Sequence, residues 1–293
     1  MAKNPWYISV IAPEKPAGCA KDTVLRSRVG GIGRLAKGFV HIIEPRNAIL
    51  IACDLVTYHI SECIVSRYGL VMGDFIEVKL GVLDNKIAYE VKEVMSIAEQ
   101  RGFENAKTEM PSKVFEIWNQ KVFCGQRILV VGEKTDNRVQ KIVDSVSENL
   151  MQVALVAEDS EAVVEYLDKS GIKEVYPIQA KMTPKRQIVG CLYALFRAKQ
   201  LSTDGHDVVF YVDSLSKLMR IYNRAMTSMC TRATTAQINE GAVSDLKEMV
   251  LSAKQLSSKG SLTVIGFINK PASPIEHYVY DEFSDLMNKI LDI

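Results

Sequence analysis

The sequence lacks several features that would place the protein in a specialised class. No apolar run approaches the roughly 18 residues that a membrane-spanning helix needs, and no continuous apolar stretch near the N-terminus indicates a secretory signal. Four isolated histidines show no metal-ligand spacing, and the net charge of +1 gives no overall attraction to nucleic acid. The cysteines form no C-x-x-C pair and lie in apolar surroundings, as reduced thiols do: Cys19, Cys53, Cys63, Cys124, Cys191 and Cys230. We therefore expect a cytoplasmic protein without a membrane span, a disulfide framework or a bound metal.

Apolar residues make up 47% of the 293 positions, which is enough to bury a substantial core. Residues 1–30 carry several prolines and predict an extended arm. Residues 31–97 are rich in short β-segments and favour a small barrel of the OB type. The segments predicted as its strands are GIGRLA, GFVHII, AILIACDL, DFIEVKL and IAYEVKEV, with a helical turn at SECIVSRYG.

Residues 98–112 are polar and contain Pro111, so they predict a linker between two domains. The pattern changes from residue 113 to residue 293, where apolar β-runs alternate with helical segments. Strands that alternate with helices of this length predict βαβ units and a parallel sheet. The predicted strands are RILVVG, QVALVAE, EVYPIQ, DVVFYVD and SLTVIGFI, and the predicted helices lie near 135–150, 159–170, 183–204, 214–230 and 241–258.

The segment GEKTDNRV at 132–139 lies between a predicted strand and a predicted helix, where a phosphate-binding loop GxxxxGK[ST] would lie. Gly132 matches the first glycine of that loop. Asn137 replaces the second glycine, Arg138 replaces the lysine, and Val139 replaces the hydroxyl residue that binds Mg²⁺. Valine cannot coordinate a metal, so the loop predicts weakened ATP and Mg²⁺ binding. The alternative is an ordinary polar turn between a strand and a helix.

Two acids follow buried strands and are candidate catalytic residues. Asp213 comes directly after the apolar run from Val208 to Val212, at the strand end where ligands bind in open α/β sheets. Glu158 ends the predicted strand QVALVAE, where a carboxylate can orient an attacking water. Each acid also has a purely structural explanation. Asp213 could cap the following helix, and Glu158 could be a first-turn acid that the helix dipole favours.

Together these segments resemble the bacterial transcription termination factor Rho over most of residues 31–293. The most specific matches are DVVFYVDSLSKLMRIYN, which resembles the Walker B strand and its helix, and GSLTVIGFI near the end of the ATPase core. The corroborating matches, in order along the chain, are KGFVHII, RYGLVMGDFIEVKL, CGQRILVVG and VYDEF. The resemblance implies an OB-fold (cold-shock-type) RNA-binding domain followed by a RecA-like P-loop NTPase domain, and assembly into rings with RNA in the centre.

The resemblance also assigns RNA-contacting positions. Phe39 matches one aromatic of the RNA-binding strand, His41 lies where the second belongs, and His59 lies near a further aromatic of the family. Arg232 falls nearest the lysine of the central RNA-binding loop. Phe39 has an alternative role as a barrel-core residue.

The chain therefore predicts a Rho-like factor in transcription termination or regulation that binds single-stranded RNA and has lost efficient ATP hydrolysis. Glu158 and Asp213 are then vestigial, and the position of the family's arginine finger lies beyond residue 293. The expected partners are RNA, further copies of the chain, or Rho itself, with no membrane. Two other hypotheses stay open: a divergent RNA translocase in which Arg138 replaces the lysine, and a ring-forming module that binds no nucleotide.

Overall fold

The computed structural model describes most of the chain after residue 33: residues 34–44, 47–82, 89–98, 103, 106–133, 143–146, 149–157, 172, 174–227, 238–257 and 259–292. The chain divides into two compact units, between residues 104 and 105. The predicted arm 1–30 lies outside the described residues. So do five predicted site residues: Asn137, Arg138, Val139, Glu158 and Arg232.

The first unit is a closed five-stranded barrel with the strand order β1-β2-β3-β5-β4. Its elements are β1 (Arg34–Glu44), β2 (Asn47–Ala52), β3 (Thr57–Ser61), α1 (Glu62–Tyr68), β4 (Phe75–Val82) and β5 (Tyr89–Ile97). All neighbours pair antiparallel except β3 and β5, which pair parallel. A small five-stranded barrel of this kind is an OB-type fold, so the prediction for this unit is confirmed.

The strands of the barrel differ from their predicted limits at two places. The segments predicted as separate strands at 31–36 and 38–43 meet in the single strand β1, and β3 was not predicted. Gly38 lies inside β1 because a Cβ at this position would lie 2.1 Å from the carbonyl oxygen of Ile51 on β2. This glycine therefore permits a close approach of two backbones and does not mark a turn.

The second unit contains a seven-stranded sheet with the order β10-β9-β11-β13-β8-β14, and β12 pairs at the side of β13. Its strands are β8 (Arg127–Gly132), β9 (Met151–Ala157), β10 (Glu174–Ile178), β11 (Asp207–Val212), β12 (Lys254–Gln255), β13 (Ser261–Asn269) and β14 (Lys289–Asp292). Every pair along this order is parallel, which confirms the predicted parallel α/β domain. Strands β6 (Val114–Ile117) and β7 (Gln120–Phe123) form a separate hairpin.

Four long helices accompany this sheet: α2 (Pro184–Thr203), α3 (Leu215–Thr227), α4 (Glu240–Leu251) and α5 (Pro274–Ser284). The first three agree with the prediction, although α4 ends at Leu251 because Lys254 and Gln255 pair antiparallel with β13. Within the predicted linker, Thr108 forms a β-bridge with Leu256 of the second unit. No helix in the described part of the chain has the length and apolarity to cross a membrane.

We predict that Gly38→Ala destabilises the barrel by about 2 kcal/mol or more, because the added methyl group meets backbone atoms of β2 that cannot move independently. Gly81→Ala is the matched control in the same barrel, since its Cβ meets the flexible side chain of Lys92. Urea denaturation followed by circular dichroism measures both free energies of unfolding. Equal losses in the two variants would contradict the close-approach role of Gly38.

Candidate functional site

The parallel order of the sheet brings two predicted site residues to one edge. Strand β8 ends at Gly132 and β11 ends directly before Asp213, with β13 between them. Gly132 is in register with Asn269 of β13, and Val212 is in register with Gly266. Gly132 and Asp213 are therefore about 10 Å apart across the sheet, or two strand spacings. Ligands of open parallel sheets bind at this carboxyl edge.

Asp213 continues the ladder of β11 by one residue. Its backbone N–H donates to the carbonyl oxygen of Leu155 at 3.0 Å, and the residue is 7% exposed. The helix cap that was an alternative role for Asp213 belongs instead to Ser214. The hydroxyl oxygen of Ser214 accepts from the backbone N–H of Lys217 at 3.2 Å. Position 213 is thus fixed by the sheet and not by capping the helix.

Gly266 of β13 positions helix α3 beside this carboxylate. A Cβ at Gly266 would lie 2.7 Å from a methyl carbon of Leu215, the first residue of α3. The absence of a side chain at 266 lets Leu215, which is fully buried, pack directly on the sheet. The N-terminal turn of α3 and Asp213 are consequently held at the carboxyl edge.

Two lysines that the sequence analysis did not select lie at the same edge. The ammonium group of Lys217 donates to the carbonyl oxygen of Ala157, at the end of β9, at 3.2 Å. Lys270 follows β13, and its backbone N–H donates to the carbonyl oxygen of Gly132 at 2.8 Å. A strand-end glycine and a strand-end carboxylate are each flanked by a cation. Sequence spacing alone gave no signal for either lysine, since both contacts depend on the order of the strands.

The N-terminus of α5 already holds an anion from its own chain. Ser273 caps the helix, and Glu276 completes a capping box. The Glu276 carboxylate accepts four hydrogen bonds, from the side-chain amide of Asn269, the backbone N–H groups of Ala272 and Ser273, and the Ser273 hydroxyl. Burial acts to raise the pKa of Glu276, but these bonds outweigh it and hold the pKa below its usual value. This helix end is therefore satisfied.

The residues of this edge fit a phosphate-bearing ligand better than they fit Mg²⁺. Mg²⁺ in nucleotide sites is held by a loop hydroxyl and a strand-end carboxylate. Asp213 supplies the carboxylate, but position 139 is valine and has no hydroxyl. Among the described residues, no group of three or more His, Cys, Asp or Glu side chains could hold a metal ion.

The barrel places the predicted RNA-contacting residues on its outer surface. Alternate residues of β1, β2 and β3 line the core, including Val40, Leu50 and Ile60. The intervening residues therefore face outward. His41 of β1 is in register with Ile49 of β2, and Ile49 with His59 of β3. Both histidines are half-buried and lie in one row, about 10 Å apart.

Phe39 lies in the neighbouring row but is fully buried. Its ring packs against Phe75 of β4, with centroids 4.9 Å apart and planes tilted by 60°. A base stacks on an aromatic ring only where one ring face is open. In this arrangement Phe39 packs, whereas Phe75 is half-buried and was missed by the sequence analysis. The RNA contact of Phe39 stays a prediction.

A buried carboxylic acid lies in the helical layer of the second unit. Asp245 of α4 lies close to Tyr222 of α3, a residue that is 1% exposed. One carboxylate oxygen of Asp245, Oδ2, is buried and accepts no hydrogen bond. Burial first, and then repulsion from Glu248, raises the pKa of Asp245 from 3.8 to about 7. The folded unit therefore retains a proton on this residue that an unfolded chain releases.

Sequence comparison finds similarity to curated proteins named transcription termination factor Rho. The relative from Gemmatimonas aurantiaca is 30% identical over 175 residues, 56% of this chain and 24% of the relative. The relative from Streptomyces coelicolor is 26% identical over 291 residues, 90% of this chain and 66% of the relative. That from Borreliella burgdorferi is 26% identical over 178 residues, 57% of this chain and 34% of the relative. The chain thus spans less than two thirds of the length of these relatives, and no family model matches it.

Structural comparison finds an ATPase from the type III secretion system of pathogenic bacteria. The TM-score is 0.58 with 15% sequence identity, over 72% of this chain and 65% of that one. At this identity the likeness supports the ATPase-type fold alone. Together with the sequence similarity to Rho over part of the chain, it supports a Rho-like, ATPase-type protein.

We predict that Asp245→Asn removes a pH dependence of stability. Because the folded pKa of Asp245 lies above the unfolded value, the folded state binds more protons between about pH 4 and pH 7, and stability falls as the pH rises through this window. At about pH 8 the variant should be more stable than the parent by about 1–3 kcal/mol. Denaturant midpoints across this pH range measure the difference. Parallel pH profiles of parent and variant would contradict it, and Glu248→Gln, which removes only the second cause, should have a smaller effect.

Proposed function

We propose that the protein is a Rho-like factor that binds single-stranded RNA through its barrel, acts in transcription termination or its regulation, and hydrolyses ATP poorly or not at all. The observation that carries the proposal is the order of the two units. An OB-type barrel precedes a parallel ATPase-type domain, and sequence similarity to transcription termination factor Rho extends over 90% of the chain in one relative.

Weak hydrolysis follows from the groups that phosphoryl transfer requires. That reaction depends on positioning and on neutralising charge around the transferred group. The loop at 132–139 has arginine in place of the lysine and valine in place of the Mg²⁺-binding hydroxyl. Asp213 is retained, but its burial and its ladder bond to Leu155 also give it a structural function at the strand end. Retention of Asp213 is therefore weaker support for hydrolysis than the loop is against it.

RNA binding is supported by the row of His41, Ile49 and His59 across the outer face of β1, β2 and β3. This face of an OB barrel is where oligonucleotides bind. Flat rings on such a face offer stacking platforms of about 1–3 kcal/mol per base. The half-buried Phe75 adds a further ring beside Phe39. Arg232, outside the described residues, is the proposed contact of the second domain.

The first test is ATP hydrolysis with and without polycytidylic RNA, beside a Rho motor assayed in parallel. We expect turnover about 10³-fold or more below that motor, since loss of one charge-stabilising arginine alone is worth about that much. RNA-stimulated turnover close to the motor's rate would contradict the proposal and favour a translocase that uses Arg138. Ring assembly without any RNA binding would contradict it too and favour the assembly module.

The second test addresses the barrel directly. We predict that His41→Ala and His59→Ala each weaken binding of a cytidine oligonucleotide by about 5-fold or more, because each removes one ring from the face. His277→Ala, an exposed histidine of α5, is the matched control and should leave affinity unchanged. Fluorescence anisotropy at one fixed salt concentration measures all three. Equal affinities in the parent and in both barrel variants would refute a role for this row.

A further inference from the structure

Positive charge gathers at the carboxyl edge of the sheet. The described strand-to-helix connections and first helical turns at this edge carry Lys181, Lys185, Arg186, Lys217 and Lys270, against the carboxylates of Glu133, Asp213 and Glu276. The Glu276 carboxylate is engaged by the cap of its own helix. An edge with this charge distribution attracts anions, and the sheet presents it where ligands of α/β proteins bind.

Lys217 is the better-defined cation of this edge. It is half-buried, and its ammonium donates to Ala157 at the end of β9 while its own backbone N–H is held by the cap of α3. The side chain is thus directed along the strand ends next to Asp213. The N-terminal turn of α3 adds the partial positive charge of its backbone N–H groups at the same place.

Lys270 occupies the opposite side of the same region. Its backbone N–H is bonded to Gly132, the residue at which the phosphate loop would begin, and its side chain is exposed. The usual loop lysine is replaced at position 138. Lys270 therefore supplies an ammonium close to the start of that loop from a different strand, β13.

We propose that this edge binds a phosphate-bearing anion, such as a nucleoside polyphosphate, without a divalent metal, and that Lys217 and Lys270 contact its phosphates. Ammonium groups bind phosphate through charge-assisted hydrogen bonds and neutralise the charge that Mg²⁺ otherwise neutralises. Valine at position 139 removes the metal's hydroxyl ligand without affecting either lysine. The inference rests on the proposed function in one respect, namely that metal-dependent hydrolysis is weak.

The test is binding of a fluorescent N-methylanthraniloyl ATP by the full chain, in EDTA and in Mg²⁺. We expect binding in EDTA that Mg²⁺ does not tighten and that inorganic tripolyphosphate competes. Lys217→Met and Lys270→Met should each weaken binding about 10-fold or more, the usual cost of a lost charged hydrogen bond. Lys217→Arg should retain most of the affinity because it keeps the charge.

Lys289→Met is the matched control. Lys289 also donates from its ammonium to a backbone carbonyl, that of Lys121 at 3.0 Å, but it lies at the start of β14 and not at the carboxyl edge. Methionine keeps an apolar stem in all three variants, and thermal melting checks that each is folded. No binding in EDTA, binding that requires Mg²⁺, or affinities unchanged in both edge variants would each overturn the inference. Hydrolysis and RNA binding are measured separately, so failure of the proposed function would be recognised on its own.

Discussion

Strand β13 is the constraint on which the second unit depends. Eight of its nine residues are buried, and it pairs with β11 on one side and β8 on the other. Because a parallel ladder allows only one register at a time, this strand decides which residues of β8 and β11 end side by side. Gly266 within it also admits Leu215 and so sets the start of α3. The carboxyl edge, with its glycine, carboxylate and two lysines, follows from these contacts.

The two units present different chemistry, and each departs from its ATPase or RNA-binding pattern in its own way. In the sheet, the fold-forming strand ends are kept while the loop groups that touch phosphate and metal are changed. In the barrel, one aromatic has become part of the packing, where Phe39 meets Phe75. Both changes preserve the framework, because buried strand residues are held by packing, whereas loop and surface residues are held by function alone. The loop and the outer face therefore carry more functional information than the buried strands.

Part of the site could be predicted from the chain alone. Gly132 and Asp213 end apolar runs, and such runs signal strands whose carboxyl ends share an edge. Lys217 and Lys270 could not be found in this way. The Lys217 ammonium reaches a carbonyl 60 residues away, and Lys270 meets Gly132 only because β13 lies beside β8. Phe39 shows the same limit, since an outward-facing aromatic can be open or covered and only its neighbours decide.

By itself the sequence determined the fold class, since short β-segments followed by alternating strands and helices bury their apolar residues in few ways. It also determined the loss of the loop hydroxyl at Val139 and the retention of Asp213. Only the tertiary structure decided that Gly38 continues a strand, that Ser214 and not Asp213 caps α3, and that two distant lysines flank the strand ends. Local composition sets which elements form. The close approach of backbones and the order of strands depend on residues far apart in the chain, which no local pattern records.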